Sequence, residues 1–494
     1  MADIVLAIDL GTTATSCLVL DRNFRILAKG SLELTQHYPK PGWVEHDPSD
    51  IWDVTGRVIR LTMDRAGISG GDVAAIGITN QRETTIVWEK KTLQPVYNAI
   101  VWQCRRTADF CEELKNRGKE DIFREKTGLL LDPYFSGTKI RWLLDNVAGV
   151  AERARSGELA FGTVDSFALA HFTNGKVHAT EPSNASRTLL YNIHTNRFDP
   201  ELAEILGIPM GMLPEVRPSA GIFGYTEGLD FLPDGIPISG ILGDQQAALF
   251  GQGCWKQGEA KCTYGTGAFV LLNTGERAVS SNRGLLTTVA WQIDGKTTYA
   301  LEGSAFIAGA AVQWLRDGLG LIKSAPEIEE LAKTVPDNGG VVFVPALAGL
   351  GAPYWRPDTQ GVLAGITRGT TSGHIARAVL EGIALEVYDL VLAMSGDLGE
   401  PLRLMQVDGG ASMNDLLMQF QADLLDLQVI RPMVTETTAF GAGLLAAYGA
   451  GLVDQIEDLP GGKPDRTFSP GLTREEAGSF VDEYHRVVNM LLNK

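Results

Sequence analysis

Two short turns of glycine and threonine, each between apolar strand-like runs, constrain the fold of this chain most. The first is Ile-Asp-Leu-Gly-Thr-Thr at 8–13, and the second is Thr-Tyr-Gly-Thr-Gly-Ala-Phe at 263–269. Each pattern is typical of a β-hairpin with a tight tip. Such a tip directs peptide N–H groups and threonine hydroxyls at an anion. One turn in each half predicts a phosphate-bearing ligand held between two related domains, although either turn alone also fits an ordinary hairpin.

Asp9 ends the apolar run before the first turn, two residues ahead of Gly11. A carboxylate beside a phosphate cradle is a natural partner for hydrated Mg²⁺, which keeps several of its waters in proteins. We therefore expect Asp9 to lie next to a magnesium ion.

Length, charge and cysteine content exclude several classes of protein. The 494 residues are enough for two or three domains. The net charge of −17 disfavours nucleic acid or an anionic membrane as the main partner. The five cysteines are odd in number and lack metal-ligand spacing, which fits a reducing compartment. Because no apolar run approaches the ~20 residues of a membrane helix, we expect a cytoplasmic protein without membrane insertion.

Strand-like and helix-like segments alternate along the chain. Residues 73–78 and 404–408 are typical of buried strands, and 51–66 predict an amphipathic helix capped by Asp47 or Ser49. The alternation favours an α/β protein with mixed sheets. Glycines at 251 and 253 predict the domain junction, so we expect domains at 1–250 and 251–494.

Longer motifs throughout the chain carry a family resemblance. They are YPKPGWVEHD at 38–47, GITNQRETT at 77–85, VWQCRRT at 101–107, DPYFSGTK at 132–139, SNASRT at 183–188, GDQQAALFG at 243–251, LAGLGAPYW at 347–355, GVLAGITRG at 361–369 and VDGGA at 407–411. Together they resemble the FGGY carbohydrate kinases, and within them the members that phosphorylate glycerol. The resemblance covers nearly the whole chain.

The resemblance implies both a fold and an activity. The implied fold is α/β, with two ribonuclease-H-like domains of the actin/sugar-kinase type, mixed sheets flanked by helices, and an active site in the interdomain cleft. The implied activity is transfer of the ATP γ-phosphate to glycerol with Mg²⁺, giving sn-glycerol 3-phosphate and ADP, in glycerol uptake and catabolism. Relatives form dimers and tetramers, so a homo-oligomer is also implied.

The resemblance assigns a polyol site to the first half and its junction with the second. Asp244 follows an apolar strand and becomes the general base and a second magnesium ligand; from the residues alone, it also fits a helix N-cap. Arg82 and Glu83 alone also fit a solvated salt bridge, and the aromatic members also fit a core. The implied polyol contacts are Arg82, Glu83, Trp102, Tyr134, Asp244, Gln245 and Phe269.

A nucleotide site is implied around the two turns. Gly309 and Gln313 are four residues apart and share one face of a predicted helix. A Gly-Gly turn at 409–410, after a predicted strand, permits close approach of a nucleotide to the backbone, or is a plain turn. The implied contacts are Gly11, Thr12, Thr13, Ala14, Thr266, Gly309, Gln313, Gly410 and Asn414, and the implied metal ligands are Asp9 and Asp244.

The first turn departs from the family pattern. Leu10 replaces a glutamine, and Ala14 and Ser16 stand where relatives have serine and a phosphate-binding arginine. We therefore expect weaker ATP binding than in arginine-bearing relatives. Two other interpretations remain: a kinase for another polyol or a ketopentose, and a nucleotide-switched binding protein with similar phosphate hairpins.

Overall fold

Two mixed β-sheets, one in each half of the chain, form the framework of the molecule. The computed structural model describes residues 3–356 and 358–493. The strands of the first half are β1 (Ile4–Leu10), β2 (Ala14–Leu20), β3 (Ile26–Glu33), β4 (Glu45–His46), β5 (Val73–Asn80), β6 (Ile86–Glu89), β7 (Ala99–Ile100), β8 (Leu159–Gly162), β9 (Ala179–Thr180), β10 (Tyr191–Asn192), β11 (Arg197–Phe198), β12 (Glu215–Val216), β13 (Ala220–Tyr225) and β14 (Pro237–Gly243). Those of the second half are β15 (Glu259–Tyr264), β16 (Ala268–Gly275), β17 (Leu286–Ile293), β18 (Lys296–Ala305), β19 (Val342–Val344), β20 (Val362–Ala364), β21 (Leu404–Asp408), β22 (Val429–Pro432) and β23 (Pro464–Phe468).

Helices connect the strands and cover both sheets. They are α1 (Pro48–Ala66), α2 (Ala108–Asn116), α3 (Glu120–Thr127), α4 (Ser136–Asn146), α5 (Val150–Arg155), α6 (Val164–Phe172), α7 (Pro182–Ala185), α8 (Pro200–Leu206), α9 (Asp244–Gly251), α10 (Gly309–Gln313), α11 (Glu327–Ala332), α12 (Ser372–Leu398), α13 (Asp415–Leu425), α14 (Thr437–Gly449) and α15 (Arg474–Leu492). In the described part of the chain, no helix combines the length and the apolarity that crossing a bilayer requires.

The two sheets repeat one strand order. The first sheet runs β13-β14-β5-β1-β2-β3, and the second runs β17-β18-β16-β15-β21-β22-β23. In both, an antiparallel hairpin (β1–β2 or β15–β16) lies beside two strands parallel to its first member. A third antiparallel strand extends each hairpin, and a further antiparallel strand borders the parallel pair. This duplication matches the predicted pair of ribonuclease-H-like domains, while the boundary at residue 250 stays a prediction.

The structure confirms the predicted local elements. Both glycine–threonine turns are tips of antiparallel hairpins. The helix predicted at 51–66 begins at Pro48, and the Asp47 carboxylate caps it by accepting a hydrogen bond of 2.8 Å from the Ser49 N–H. The strands at 73–78 and 404–408 are β5 and β21. All five cysteines are buried free thiols.

Helix α14 of the second half packs on the sheet of the first half. Its apolar residues share a buried core with Val5, Ala7 and Leu242 of that sheet and with Leu271 and Ala290 of the second sheet. The helix therefore lies between the two halves and joins their hydrophobic cores. Because this interface removes apolar side chains of both halves from water, its burial stabilises their packing against each other.

Glycines let α14 approach α9 and β5 at backbone distance. A Cβ atom on Gly441 would lie 1.9 Å from the Ala247 carbonyl oxygen, and one on Gly251 would lie 2.3 Å from the Thr437 oxygen. On β5, a Cβ on Gly77 would lie 2.2 Å from the Ala442 oxygen. These distances are far below van der Waals contact with a backbone atom, which has little freedom to move aside. The crossing of the two helices therefore requires glycine.

We predict that Gly441→Ala destabilises the protein. The added methyl group forces α9 and α14 apart, and overpacking of this kind costs about 1–3 kcal/mol of unfolding free energy. Gly478→Ala on α15 is the matched control, because its Cβ meets no atom within 4 Å and alanine favours a helix by up to about 1 kcal/mol. Thermal unfolding checks this: equal melting temperatures for Gly441→Ala and the parent protein would contradict the steric argument.

Candidate active site

Three parallel strands of the first sheet end at one edge and bring the predicted catalytic groups together. In register, Leu10 of β1 and Gly243 of β14 both stand beside Asn80 of β5. Asp9, Arg82 and Asp244 lie within two residues of these positions. The carboxyl edge of parallel strands is where α/β folds place their ligands.

Asp244 is the first helical residue of α9 and does not cap it. Gly243 occupies the N-cap position, so the helix-cap interpretation is wrong. The Asp244 Oδ1 atom accepts a hydrogen bond of 2.7 Å from the Gln245 N–H and lies 3.1 Å from the Arg82 Nε atom. Burial raises the pKa of Asp244, while Arg82 opposes that rise. The result is an anchored carboxylate that retains basicity.

The Asp9 carboxylate lies close enough to Asp244 for the two to interact electrostatically. Its Oδ1 atom is buried without a hydrogen-bond partner. Burial, and then the Asp244 charge, raise the pKa of Asp9 to about 7. Two carboxylates that share a site in this way are stabilised by a cation between them. In the described residues, no cluster of three or more acidic, histidine or cysteine side chains forms a metal cage.

Arg82 and Glu83 are buried, so they do not form a solvated salt bridge. Arg82 is 2% exposed and Glu83 is 1% exposed. The Arg82 guanidinium makes two hydrogen bonds of 2.5 and 3.1 Å with Glu302. The Glu83 Oε1 atom accepts one of 2.6 Å from Arg187. The Arg82 Nε and Glu83 Oε1 atoms are 3.9 Å apart. Each of these two residues therefore binds its partner elsewhere more closely than it binds the other.

Trp102 links the predicted polyol wall to the first turn. Its indole Nε1–H donates a hydrogen bond of 2.9 Å to the Thr12 hydroxyl. Its ring lies edge-on to Tyr134, with centroids 5.5 Å apart. Both rings are half-buried, and Tyr134 also packs against a buried apolar cluster of the first half. Phe269 is also half-buried, on β16 opposite Thr263.

Gln245 is held by Lys261, a residue that lies outside the motifs of the sequence. The buried Lys261 ammonium on β15 donates hydrogen bonds to the Gln245 Oε1 atom and, at 2.9 Å, to the Thr263 hydroxyl. Burial lowers the pKa of Lys261, while Asp408 and Asp244 oppose that change. Because the amide oxygen of Gln245 is occupied by Lys261, its NH₂ group is the part that remains to bind a hydroxyl oxygen.

The first turn is fixed by hydrogen bonds to its carbonyl groups. The Gly11 and Thr12 oxygens accept from Gln81 and Gln36 at 3.0 and 2.8 Å, and the Thr13 oxygen accepts from the Leu34 N–H at 2.9 Å. Across a trans peptide the next N–H points the opposite way. The N–H groups of Thr12, Thr13 and Ala14 therefore point away from the residues that bind these carbonyls.

The second turn is joined to the start of α10. The Ala308 and Ala310 N–H groups donate to the Thr266 oxygen at 2.8 and 3.0 Å, and the Gly309 N–H donates to the Gly265 oxygen at 2.9 Å. A Cβ atom on Gly309 would lie 2.6 Å from that Gly265 oxygen. Gly309 and Gln313 lie four residues apart on one helix, as predicted, and Gln313 is exposed.

The Gly-Gly turn at 409–410 also passes close to the second hairpin. Gly409 has φ +85°, and a Cβ there would lie 2.5 Å from the Tyr264 oxygen. Asn414 caps α13 by accepting a hydrogen bond of 2.9 Å from the Leu417 N–H, which leaves its NH₂ group free of that role. All the predicted nucleotide contacts are exposed or half-buried, namely Gly11, Thr12, Thr13, Ala14, Thr266, Gly309, Gln313, Gly410 and Asn414.

Comparisons with known proteins agree with this geometry. Models of the N-terminal and C-terminal domains of the FGGY family of carbohydrate kinases match residues 4–251 and 260–450. The chain is 54% identical to a glycerol kinase of Alkalilimnicola ehrlichii, over 98% of this chain and 97% of that protein. It is 54% identical to glycerol kinase 2 of Thermotoga maritima, over 99% and 98%.

A solved structure shows the same architecture. A Plasmodium falciparum glycerol kinase with ADP superimposes with a TM-score of 0.94 at 34% identity, covering 99% of this chain and 98% of that one. The motifs, the duplicated sheets and the matches at domain level lead to one assignment. This chain belongs to the FGGY family of carbohydrate kinases.

Proposed function

We propose that this protein is an ATP-dependent glycerol kinase that forms sn-glycerol 3-phosphate and ADP. The observation that carries the proposal is the group formed by Asp244, Arg82, Glu83, Trp102 and Tyr134, which lies at the strand edge next to the first turn. The relatives named above are glycerol kinases, and this chain matches them over nearly their full length, which supports the same activity.

The polyol site is small and mostly polar. The Gln245 NH₂ group donates a hydrogen bond to a hydroxyl oxygen, and so does the one Arg82 N–H that is not directed to Glu302, Gln246 or Asp244. The Glu83 carboxylate accepts one from a hydroxyl. Trp102, Tyr134 and Phe269 cover the carbon chain. In this arrangement the hydroxyl to be phosphorylated lies at Asp244, which removes its proton as the oxygen attacks.

The two turns hold the phosphates, and Asp9 and Asp244 are the residues that would hold Mg²⁺. The orphaned Oδ1 atom of Asp9 and the adjacent Asp244 fit a cation that keeps most of its waters. When bound, Mg²⁺ neutralises charge on the transferred phosphate. The phosphate side is lined by Gly11, Thr12, Thr13, Ala14 and Thr266. The remainder of the nucleotide is lined by Gly309, Gln313, Gly410 and Asn414. Catalysis then depends on positioning and charge stabilisation.

The remaining parts of the proposal concern the whole protein. The domains are 1–250 and 251–494, the location is the cytoplasm and the role is glycerol uptake and catabolism. A dimer or tetramer is proposed on the family resemblance.

We predict that Asp244→Asn lowers kcat by about 10²–10⁴-fold, because an amide is not a general base at neutral pH. A coupled assay for ADP, with glycerol, dihydroxyacetone, erythritol and xylulose as acceptors, measures this. The parent protein is expected to prefer glycerol. A preference for xylulose or erythritol favours the alternative kinase, and full activity of Asp244→Asn excludes Asp244 as the base.

We predict that Ser16→Arg lowers the KM for ATP. Ser16 on β2 stands directly opposite Asp9 on β1, so a side chain there shares the Asp9 face of the sheet. One charge-assisted hydrogen bond to phosphate is worth about 1.5–3 kcal/mol, or roughly 10–100-fold in KM. Ser16→Ala is the control, since it removes the hydrogen bond of 3.0 Å to Ser31 without adding charge. An unchanged KM in Ser16→Arg contradicts the prediction.

A further inference from the structure

Glu302, on strand β18 of the second sheet, is the common partner of two arginines from the first half of the chain. Its Oε2 and Oε1 atoms accept hydrogen bonds of 2.5 and 3.1 Å from Arg82, and Oε1 accepts another of 2.8 Å from Arg187. The exposed fractions of the three side chains are between 0% and 3%. A single carboxylate thus joins the two halves of the molecule at the polyol site.

Each of these arginines also binds a carboxylate of the polyol site. The Nε atom of Arg82 lies 3.1 Å from Asp244, and the Nε atom of Arg187 donates a hydrogen bond of 2.6 Å to Glu83. Glu302 therefore stands behind both the base and the hydroxyl acceptor, with one arginine between it and each of them.

The geometry of Arg82 shows what Glu302 contributes. Both Nη groups of Arg82 donate to Glu302, and Nη1 also donates to the Gln246 Oε1 atom at 3.2 Å, so only the Nε atom faces Asp244, in an ion-pair contact of 3.1 Å. Without Glu302 the guanidinium fork would be available to Asp244, since arginine binds carboxylates preferentially with two parallel hydrogen bonds. Glu302 keeps Arg82 from clamping the base in this way.

The apolar surroundings of Glu302 make a charged side chain unfavourable at this position unless it is paired. Glu302 stands between Leu271 and Leu286 of the neighbouring strands and follows Leu301 in an otherwise apolar run. An unpaired carboxylate is costly there. Burial opposes its ionisation, but Arg187 and Arg82 outweigh burial and lower the pKa of Glu302 to about 2. A hydrophobic side chain at this position would leave two buried arginines without their partner.

We propose that Glu302 is a positioning residue of the polyol site, which sets the orientation of Arg82 and Arg187 and thereby of Asp244 and Glu83. The polyol site is then incomplete without the second half of the chain. This proposal rests on the proposed glycerol kinase activity.

The test is Glu302→Gln, which preserves size and removes the charge. We expect the KM for glycerol to rise about tenfold or more and kcat to fall, while the KM for ATP changes less than about twofold. Glu302→Asp keeps the charge on a shorter side chain and should recover part of the glycerol affinity. If Glu302→Gln does not fold, Glu302→Asp carries the test alone and should show the same selective rise.

Glu381→Gln is the matched control. Glu381 is also buried and binds Arg377 at 3.0 Å and Asn338 at 2.7 Å, on α12 of the same half. It should lose stability without a change in the KM for glycerol. Glycerol-induced thermal stabilisation is a second readout: a merely structural role for Glu302 lowers the melting temperature but preserves the upward shift on adding glycerol.

The outcomes separate the two proposals. If the parent protein does not phosphorylate glycerol, the proposed function fails. If it does, and Glu302→Gln retains the parent KM for glycerol and the parent thermal shift, the positioning role is wrong. Equal changes in the KM for glycerol and for ATP also overturn it. A selective rise in the KM for glycerol, absent from Glu381→Gln, supports it.

Discussion

The close crossing of α9 and α14 determines how the two halves of the chain fit together. Helix α9 begins at Asp244 and helix α14 belongs to the other half of the chain, so their contact fixes Asp244 relative to the second half. Gly251 and Gly441 bring the two backbones together, and the surrounding residues form one apolar core.

Two arginines and two glutamates of the proposed polyol site balance one another's charge. Arg82 and Arg187 offset Glu83 and Glu302, so these four buried groups sum to zero. Buried ion pairs of this kind seldom increase stability over apolar packing. Their value lies in holding donors and acceptors in fixed directions before the substrate arrives, which reduces reorganisation during the reaction.

The sequence predicted the parts of the fold that depend on neighbouring residues. The two hairpins, the Asp47 cap and the strand before Asp244 follow from local periodicity and turn chemistry, and the structure contains all of them. The partner of Arg82 was not predicted, because Glu302 is 220 residues away and lies in a run that resembles any buried strand. Lys261 was missed for the same reason. The motif at 183–188 contains Arg187, but it does not indicate which residues that arginine binds.

The hydrogen bond between Trp102 and Thr12 couples two properties that are usually considered separately. In the proposed site, the indole ring forms the wall against which the carbon chain of the acceptor lies, and its N–H donates a hydrogen bond to the Thr12 hydroxyl of the first turn. Enlarging the pocket by shortening Trp102 would admit longer acceptors and would also release that hydroxyl. Acceptor range and grip on the phosphate donor are therefore linked through one side chain, and a change of substrate in this scaffold requires compensation at the first turn.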